Sequence, residues 1–345
     1  MGARMIDIAR DLGVSLMTVS KALRSHSDIS EQTRTRVMKR ARELDYRPNW
    51  IARSLVTRRT YVIGLVIPDL MHSFFAEVAK GVTRKFEPLN YQIVIANSDE
   101  NADIEERQVE LLLARSVDGL IIASAQPNGR RNLFGTLANR GVPYVLIDRA
   151  PAGLKANYVG VKDEEIGVMA TEHLIEQGCR RIAHIRGPLI APGTGRLRGY
   201  GRALAKHGLK APPEYVVSGQ HSDGSGYDAM RQLLKLNPPP DGVFCYNDPV
   251  AAGAIKAVLE AGLKVPDDIA IIGAGNVHYS DLLRVPLSTI DQSSSAIGET
   301  AAELLVSCIE SKTPVPAKRI LIAPQLIVRE SSRRATSAGT LRSRS

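Results

Sequence analysis

Three cysteines in 345 residues, Cys179, Cys245 and Cys308, are too few and too far apart for a disulfide framework, and none has C-x-x-C spacing. They read as free thiols of a reducing compartment. No apolar run approaches the ~20 residues that cross a membrane, and Asp7 interrupts the N-terminus before a signal-peptide core could form. A membrane partner is not expected. Catalytic signatures are missing too: there is no G-x-x-x-x-G-K-[ST], G-x-S-x-G or H-E-x-x-H. Gly273-Ala274-Gly275 begins a dinucleotide fingerprint that His278 breaks, and His72, His221 and His278 lack metal-ligand spacing. The chain therefore reads as neither an enzyme nor a holder of a cofactor or metal.

What is present is unevenly charged. Residues 1–60 hold 13 Lys/Arg against 6 Asp/Glu, and residues 333–345 hold 4 arginines and no acid, leaving 28 bases and 30 acids between them. A basic module on a near-neutral body is the electrostatic footprint of a nucleic-acid binder.

The first sixty residues explain that footprint. Met5, Ile8, Ala9 and Leu12 form one stripe of a short helix. Gly13 then supplies a turn, and Ser15 is placed to cap a second helix, Leu16 to Leu23. That helix turns Val19, Ala22 and Leu23 inward and leaves Leu16, Met17, Ser20 and Lys21 facing out. Ala9, Gly13 and Val19 stand at helix-turn-helix spacing. Ser30 caps a third helix with the stripe Val37, Met38, Ala41 and Leu44. Pro48 and Asn49 then stop and restart the chain for about two turns, too short to be helical in water unaided.

From Tyr61 the pattern is strand–helix alternation. Apolar runs at Val62–Ile67, Ile93–Ala96, Leu120–Ala123 and Tyr144–Ile147 are spaced by helical stretches near 74–87, 104–115 and 130–140. The series resumes at Val159–Val161, Ile182–Ile185, Tyr215–Val217, Gly242–Cys245 and Ile269–Ile272. Such runs are parallel strands covered on both faces. They predict two doubly wound lobes with crossovers near 160, 291 and 322, and a ligand cleft where the carboxyl ends of the strands face each other.

In order and correctly spaced, "DIARDLGVSLMTVSKAL", "ISEQTRTRVMKRARELDYRPNWIARSL" and "IGLVIPDLMHSFFAEVAKGV" resemble the lactose-repressor (LacI/GalR) family, as do "GRLRGY", "CYNDPVAAGAIKAV", "LRVPLSTIDQ" and "PQLIVRESS". The likeness runs from residue 5 to about 332. It implies an all-α helix-turn-helix headpiece (1–47), a hinge helix and linker (48–60), and an α/β periplasmic-binding-protein-like core of two doubly wound parallel-sheet lobes (61–332). The N-lobe is expected at about 61–160 and 292–321, and the C-lobe at about 161–291 and 322–332. A disordered basic tail (333–345) follows. A periplasmic solute-binding protein would share the lobes but not the headpiece.

By the same resemblance the chain is a cytoplasmic, nucleoid-associated repressor that binds a pseudopalindromic double-stranded operator as a homodimer. Leu16, Met17 and Lys21 take base-reading positions in the major groove, where lysine donates to guanine and the apolar pair suits a thymine methyl. Ser15, Thr18, Ser20 and Asn49 take phosphate positions. Leu55, beside Ala52, is the minor-groove wedge. Arg4 stands where the family has Thr or Ser, which removes an N-cap worth ~1 kcal/mol.

The effector contacts implied are Phe74, Phe75, Asp148, Arg149, Arg196, His221, Asn247, Asp248, Asn276 and Gln292, with plain core packing the alternative for the two phenylalanines. The family's "GFDD" reads "GAGN" at 273–276, so Gly275 lacks a carboxylate that would accept from ligand hydroxyls. Together with Arg149, Arg196 and His221, this favours a sugar-like effector bearing a carboxylate or phosphate. A neutral saccharide is the alternative if Asp148 neutralises Arg149.

Overall fold

The computed structural model describes residues 3–23, 26–46, 54, 59–126, 132–210, 212–220, 223–311, 313 and 316–334. Asn49, Ala52, Leu55 and His221 lie outside them, as does the tail beyond Arg334. The chain divides into two compact units, Met1–Thr60 and Tyr61–Ser345.

The first unit packs α1 (Met5–Leu12), α2 (Leu16–Leu23) and α3 (Glu31–Glu43) around Ile8, Ala9, Val19, Ala22, Val37 and Ala41. Gly13 ends α1 at φ 65°, a left-handed conformation that glycine adopts without strain. Arg4 has no side-chain acceptor to offer the first turn of α1. The reciprocal bond survives: the Asp7 carboxylate accepts the Arg4 N–H at 2.9 Å, and this bond, ahead of the arginine charges, holds its pKa below the usual value. Met38 departs from the expected stripe. Val37, Ala41 and Leu44 already face inward, and one residue on from Val37 the helix has turned about 100°, leaving Met38 exposed.

The second unit contains two six-stranded sheets. Strands β1 (Val62–Ile67), β2 (Gln92–Asn97), β3 (Gly119–Ile122), β4 (Tyr144–Ile147), β5 (Asn157–Val161) and β11 (Arg319–Ile322) form an all-parallel sheet in the order β2-β1-β3-β4-β5-β11. In the second sheet, β6 (Ile182–Arg186), β7 (Val216–Ser218), β8 (Gly242–Cys245), β9 (Ala270–Gly275), β10 (Ser288–Asp291) and β12 (Gln325–Ile327) run β7-β6-β8-β9-β10-β12. Only β12, against β10, is antiparallel in this sheet. The fold is the expected pair of doubly wound lobes. Among the described residues no helix is long and apolar enough to cross a membrane.

Two helix crossings are closed to backbone contact by reciprocal glycines. In the first lobe α4 (Ser73–Phe86) crosses α11 (Ser294–Glu310): a Cβ on Gly81 would meet the Ser295 carbonyl oxygen at 2.1 Å, and one on Gly298 would meet the Val78 oxygen at 2.2 Å. In the second lobe α7 (Asp163–Glu176) crosses α8 (Ala191–Lys206) in the same way, through Gly167 against the Arg196 oxygen (2.2 Å) and Gly199 against the Glu164 oxygen (2.1 Å).

Arg334, expected to fall in the disordered tail, is instead bonded into the second lobe. Arg334 donates to the carbonyls of Asp241, Pro266 and Asp268, and its N–H to Gln177. Just before it, Ser331 Oγ donates to Ile271 O (2.6 Å), and Ser332 bridges His173 and Ser288 at 2.7 Å each. A C-terminal strap is thus bonded into the second lobe.

His184 is buried in that lobe between the rings of Tyr200 and Phe244, stacked 5.2 and 4.5 Å away. Its Nδ1 lies 2.9 Å from Phe244 O, and Nε2 has no partner among the described residues. Burial pushes the imidazole pKa down to about 4. An unfolded histidine, near 6.5, binds the proton first, so this group stabilises the fold above pH 6.5 and loses that contribution as pH falls through about 4. His184→Phe should remove roughly 3 kcal/mol of acid lability. Calorimetric melts between pH 4 and 7 should show a flatter profile than wild type; parallel profiles would refute the assignment.

Candidate functional site

Two surfaces carry the residues singled out in the sequence. On the helix-turn-helix, Ser15 caps α2: the Thr18 N–H donates to Ser15 Oγ at 3.0 Å, and the two hydroxyls bond at 2.8 Å. Leu16 and Met17 are 48% and 62% exposed, as residues that touch a partner must be. Ser20 and Lys21 are half-buried. Lys21 has a partner the helical stripe does not reveal, since its Nζ is ion-paired at 2.5 Å with Asp28, beyond the end of α2. That pairing holds the Asp28 carboxyl below its ordinary range.

In the core, loops at the carboxyl ends of both sheets meet around one cavity. It is lined by Asp69, His72, Phe74 and Phe75 after β1, Glu100 after β2, Asp148 and Arg149 after β4, Tyr246 and Asn247 after β8, Gln292 after β10, and Arg196 from α8. Phe74 and Phe75 are both core and lining: they are buried, and their edges meet at a centroid distance of 5.1 Å. Asn247 caps α10 (Asp248–Glu260) through Val250 N–H, and its Nδ2 lies 3.0 Å from His72 Nε2 of the other lobe. The cavity measures about 30 Å³, room for water but not for a sugar.

Each guanidinium in the cavity is held by acids and carbonyls. Arg196 donates to Tyr246 O (2.6 Å), Gln292 Oε1 (2.9 Å) and Asp163 Oδ1 (3.2 Å), and lies over the Tyr246 ring. Burial pushes the Asp163 carboxyl up to about 6 against the pull of Arg196, with the nearby Asp148 charge raising it further. Arg149 grips both Glu100 oxygens, at 2.6 and 2.8 Å, and its Nε lies 3.6 Å from Asp148. Burial disfavours the Arg149 charge, yet Glu100 and Asp148 outweigh it and hold the pKa above the ordinary guanidinium value. The expected surplus of positive charge is absent among the described residues: Asp69, Glu100, Asp148 and Asp163 face two arginines.

Two expected contacts lie outside this lining. Asp248 is fully buried, and its oxygens accept from Val277 N–H, Ser280 Oγ and Thr289 Oγ1 at 3.0, 2.7 and 2.6 Å. Asn276 is held by Arg329 (2.8 Å) and Asp291 (3.2 Å). Gly275 is not among the residues lining the cavity, and a Cβ on it would make ordinary contact, at 3.5 Å, with Asp248 Oδ2 and Val277. Conversely Asp69, His72, Glu100 and Tyr246 were not singled out. Their signal was positional: each follows the carboxyl end of a strand. Among the described residues no cluster of three or more His, Cys, Asp or Glu is placed to hold a metal ion.

Comparison with known proteins agrees with this fold. Residues 4–49 match bacterial regulatory proteins of the lacI family, and residues 171–332 match the periplasmic binding protein-like domain. The ribose operon repressor of Escherichia coli K12 is 34% identical over 332 residues, covering 96% of this chain and all of that one. The HTH-type transcriptional repressor PurR of Pasteurella multocida is 33% identical, over 95% and 98%. Among solved structures, a lac repressor dimer bound to operator and the anti-inducer ONPF superposes with a TM-score of 0.85 at 26% identity, over 96% and 99%. A complex of the regulator CelR with cellobiose gives 0.72 at 31%, over 95% and 99%.

The α7–α8 crossing offers a test of how Arg196 is held. Gly167→Ala would drive a methyl into the Arg196 carbonyl and should cost about 1–3 kcal/mol. Gly201, on the same α8, has open space around a Cβ, so Gly201→Ala should instead stabilise by about 0.5–1 kcal/mol. Thermal melts followed by circular dichroism compare the two; equal shifts would mean the crossing is not close-packed.

Proposed function

This chain belongs to the lacI family of bacterial regulatory proteins: it is a DNA-binding transcriptional repressor with an effector-binding core, and we propose how its parts divide the work. Residues 1–47 read the operator, 48–60 form the hinge, and 61–332 bind the effector, with the protein acting at the nucleoid as a homodimer on a pseudopalindromic site. One helix-turn-helix reads only a half-site, so two-fold protein symmetry suits two-fold DNA. Leu16, Met17 and Lys21 contact bases; Ser15, Thr18, Ser20 and Asn49 contact phosphates; Leu55 wedges the minor groove beside Ala52.

The observation that carries the effector reading is the convergence of both lobes' loops on one cavity. Its alternation of carboxylates, guanidiniums and amides suits vicinal hydroxyls, which both donate and accept, and the rings of Phe74, Phe75 and Tyr246 suit the apolar face of a sugar. With both arginines paired to acids, the balance favours a neutral saccharide over an anion. A ribose operon repressor and a cellobiose complex among the similar proteins support that class. So small a cavity admits a sugar only as the lobes part, and a ligand that binds one lobe arrangement better shifts the chain towards it.

Operator selected from random duplexes tests the DNA side. Lys21→Ala should relax preference at one base pair per half-site at a cost of ~1–3 kcal/mol, while Asp28→Asn, which frees the lysine, should tighten binding. Sedimentation should show two protomers per duplex; a one-to-one complex would overturn the dimer. On the effector side, calorimetry with neutral sugars, uronates and sugar phosphates should find a neutral sugar that binds, with affinity lost in Arg196→Ala. Preference for an anion would reverse the assignment.

A further inference from the structure

The Glu100–Arg149 pair does more than neutralise charge. Arg149 is 7% exposed in its side chain, and Glu100 meets both terminal nitrogens of its fork, the geometry in which a guanidinium holds a carboxylate or phosphate most strongly. Glu100 is placed there deliberately by the backbone. Asp99 and Glu100 are consecutive left-handed residues (φ 50° and 56°), an arrangement non-glycine residues rarely adopt. The turn is fixed on both sides: Glu100 N–H donates to Pro68 O at 3.1 Å, and Asn101 caps α5 (Ala102–Ala114) through Asp103 and Ile104 N–H.

We propose that Glu100 is a built-in occupant of the anion-binding fork of Arg149, and that it filters the effector site against molecules bearing a carboxylate or phosphate. The proposal rests on the cavity being the effector site. An incoming anion must displace Glu100, which exchanges one carboxylate for another at no Coulombic gain and pulls a carboxylate away from a buried guanidinium. A pair of hydroxyls meets no such conflict, since it can donate to Glu100 and leave the fork intact. Specificity here comes from a group that repels the wrong ligand.

The test uses the full-length protein with Glu100→Gln and Glu100→Ala, and inorganic phosphate and acetate as probes against chloride at matched ionic strength. Removing the carboxylate empties the Arg149 fork, leaving only Asp148 beside its Nε, and should lower the melting temperature of both variants. Phosphate or acetate should restore it saturably, with apparent affinity at least tenfold above wild type, and the restoration should vanish in Glu100→Gln/Arg149→Gln. Anions that stabilise wild type and variants equally would overturn the filter. Operator gel shifts in the same buffers separate the two ideas. Anion rescue that also changes operator affinity supports both. Rescue without any change in operator affinity leaves Glu100 standing as the occupant of the fork but removes the effector-site reading, and with it the filter.

Discussion

The cavity depends on backbone touching backbone at two helix crossings. Gly81 and Gly298 bring α4 against α11, and Gly167 and Gly199 bring α7 against α8. Each crossing joins a helix that bears or follows cavity residues to one beside them: α4 carries Phe74 and Phe75 in its first turn, α11 follows Gln292, α8 carries Arg196, and α7 opens with its partner Asp163. Any larger side chain at the crossings would push these groups apart. Backbone-to-backbone contact also leaves little freedom to slide, so the lobes are suited to move as rigid bodies and the loops between them to take up the change.

Within that frame the cavity is electrostatically self-sufficient. Arg196 and Arg149 each have a carboxylate from their own lobe, Asp163 and Glu100 respectively, while across the lobes Arg196 meets the neutral amide of Gln292 and Asn247 meets His72. Ion pairs inside the lobes and neutral partners across them let the cleft open without parting Arg149 or Arg196 from its carboxylate, which is the costly step.

The strand runs were legible because a parallel strand buried on both faces is apolar throughout, as in Val62–Ile67 and Gly242–Cys245. The antiparallel β12 was not, because three edge residues carry too little pattern. Of the residues the resemblance implied, Phe74, Phe75, Asp148, Arg149, Arg196, Asn247 and Gln292 line one cavity. Asp248 and Asn276 do not, since a one-residue step past a cavity residue or strand end turns a side chain from the cleft into the lobe. Glu100 and Asp28 escaped notice because what matters about them is their partners, 49 and 7 residues away, and pairing of that kind leaves no local signature.

The last described residues matter in another way. The first sheet receives its edge strand β11 from Arg319–Ile322, and the second receives β12 and then the Ser331–Arg334 strap. Neither lobe can be completed until residues 319–334 are available to it. The headpiece, built wholly from the first sixty residues, has no such dependence. During synthesis the part that grips DNA can therefore fold first, while both halves of the part that regulates it wait for the same short stretch of chain.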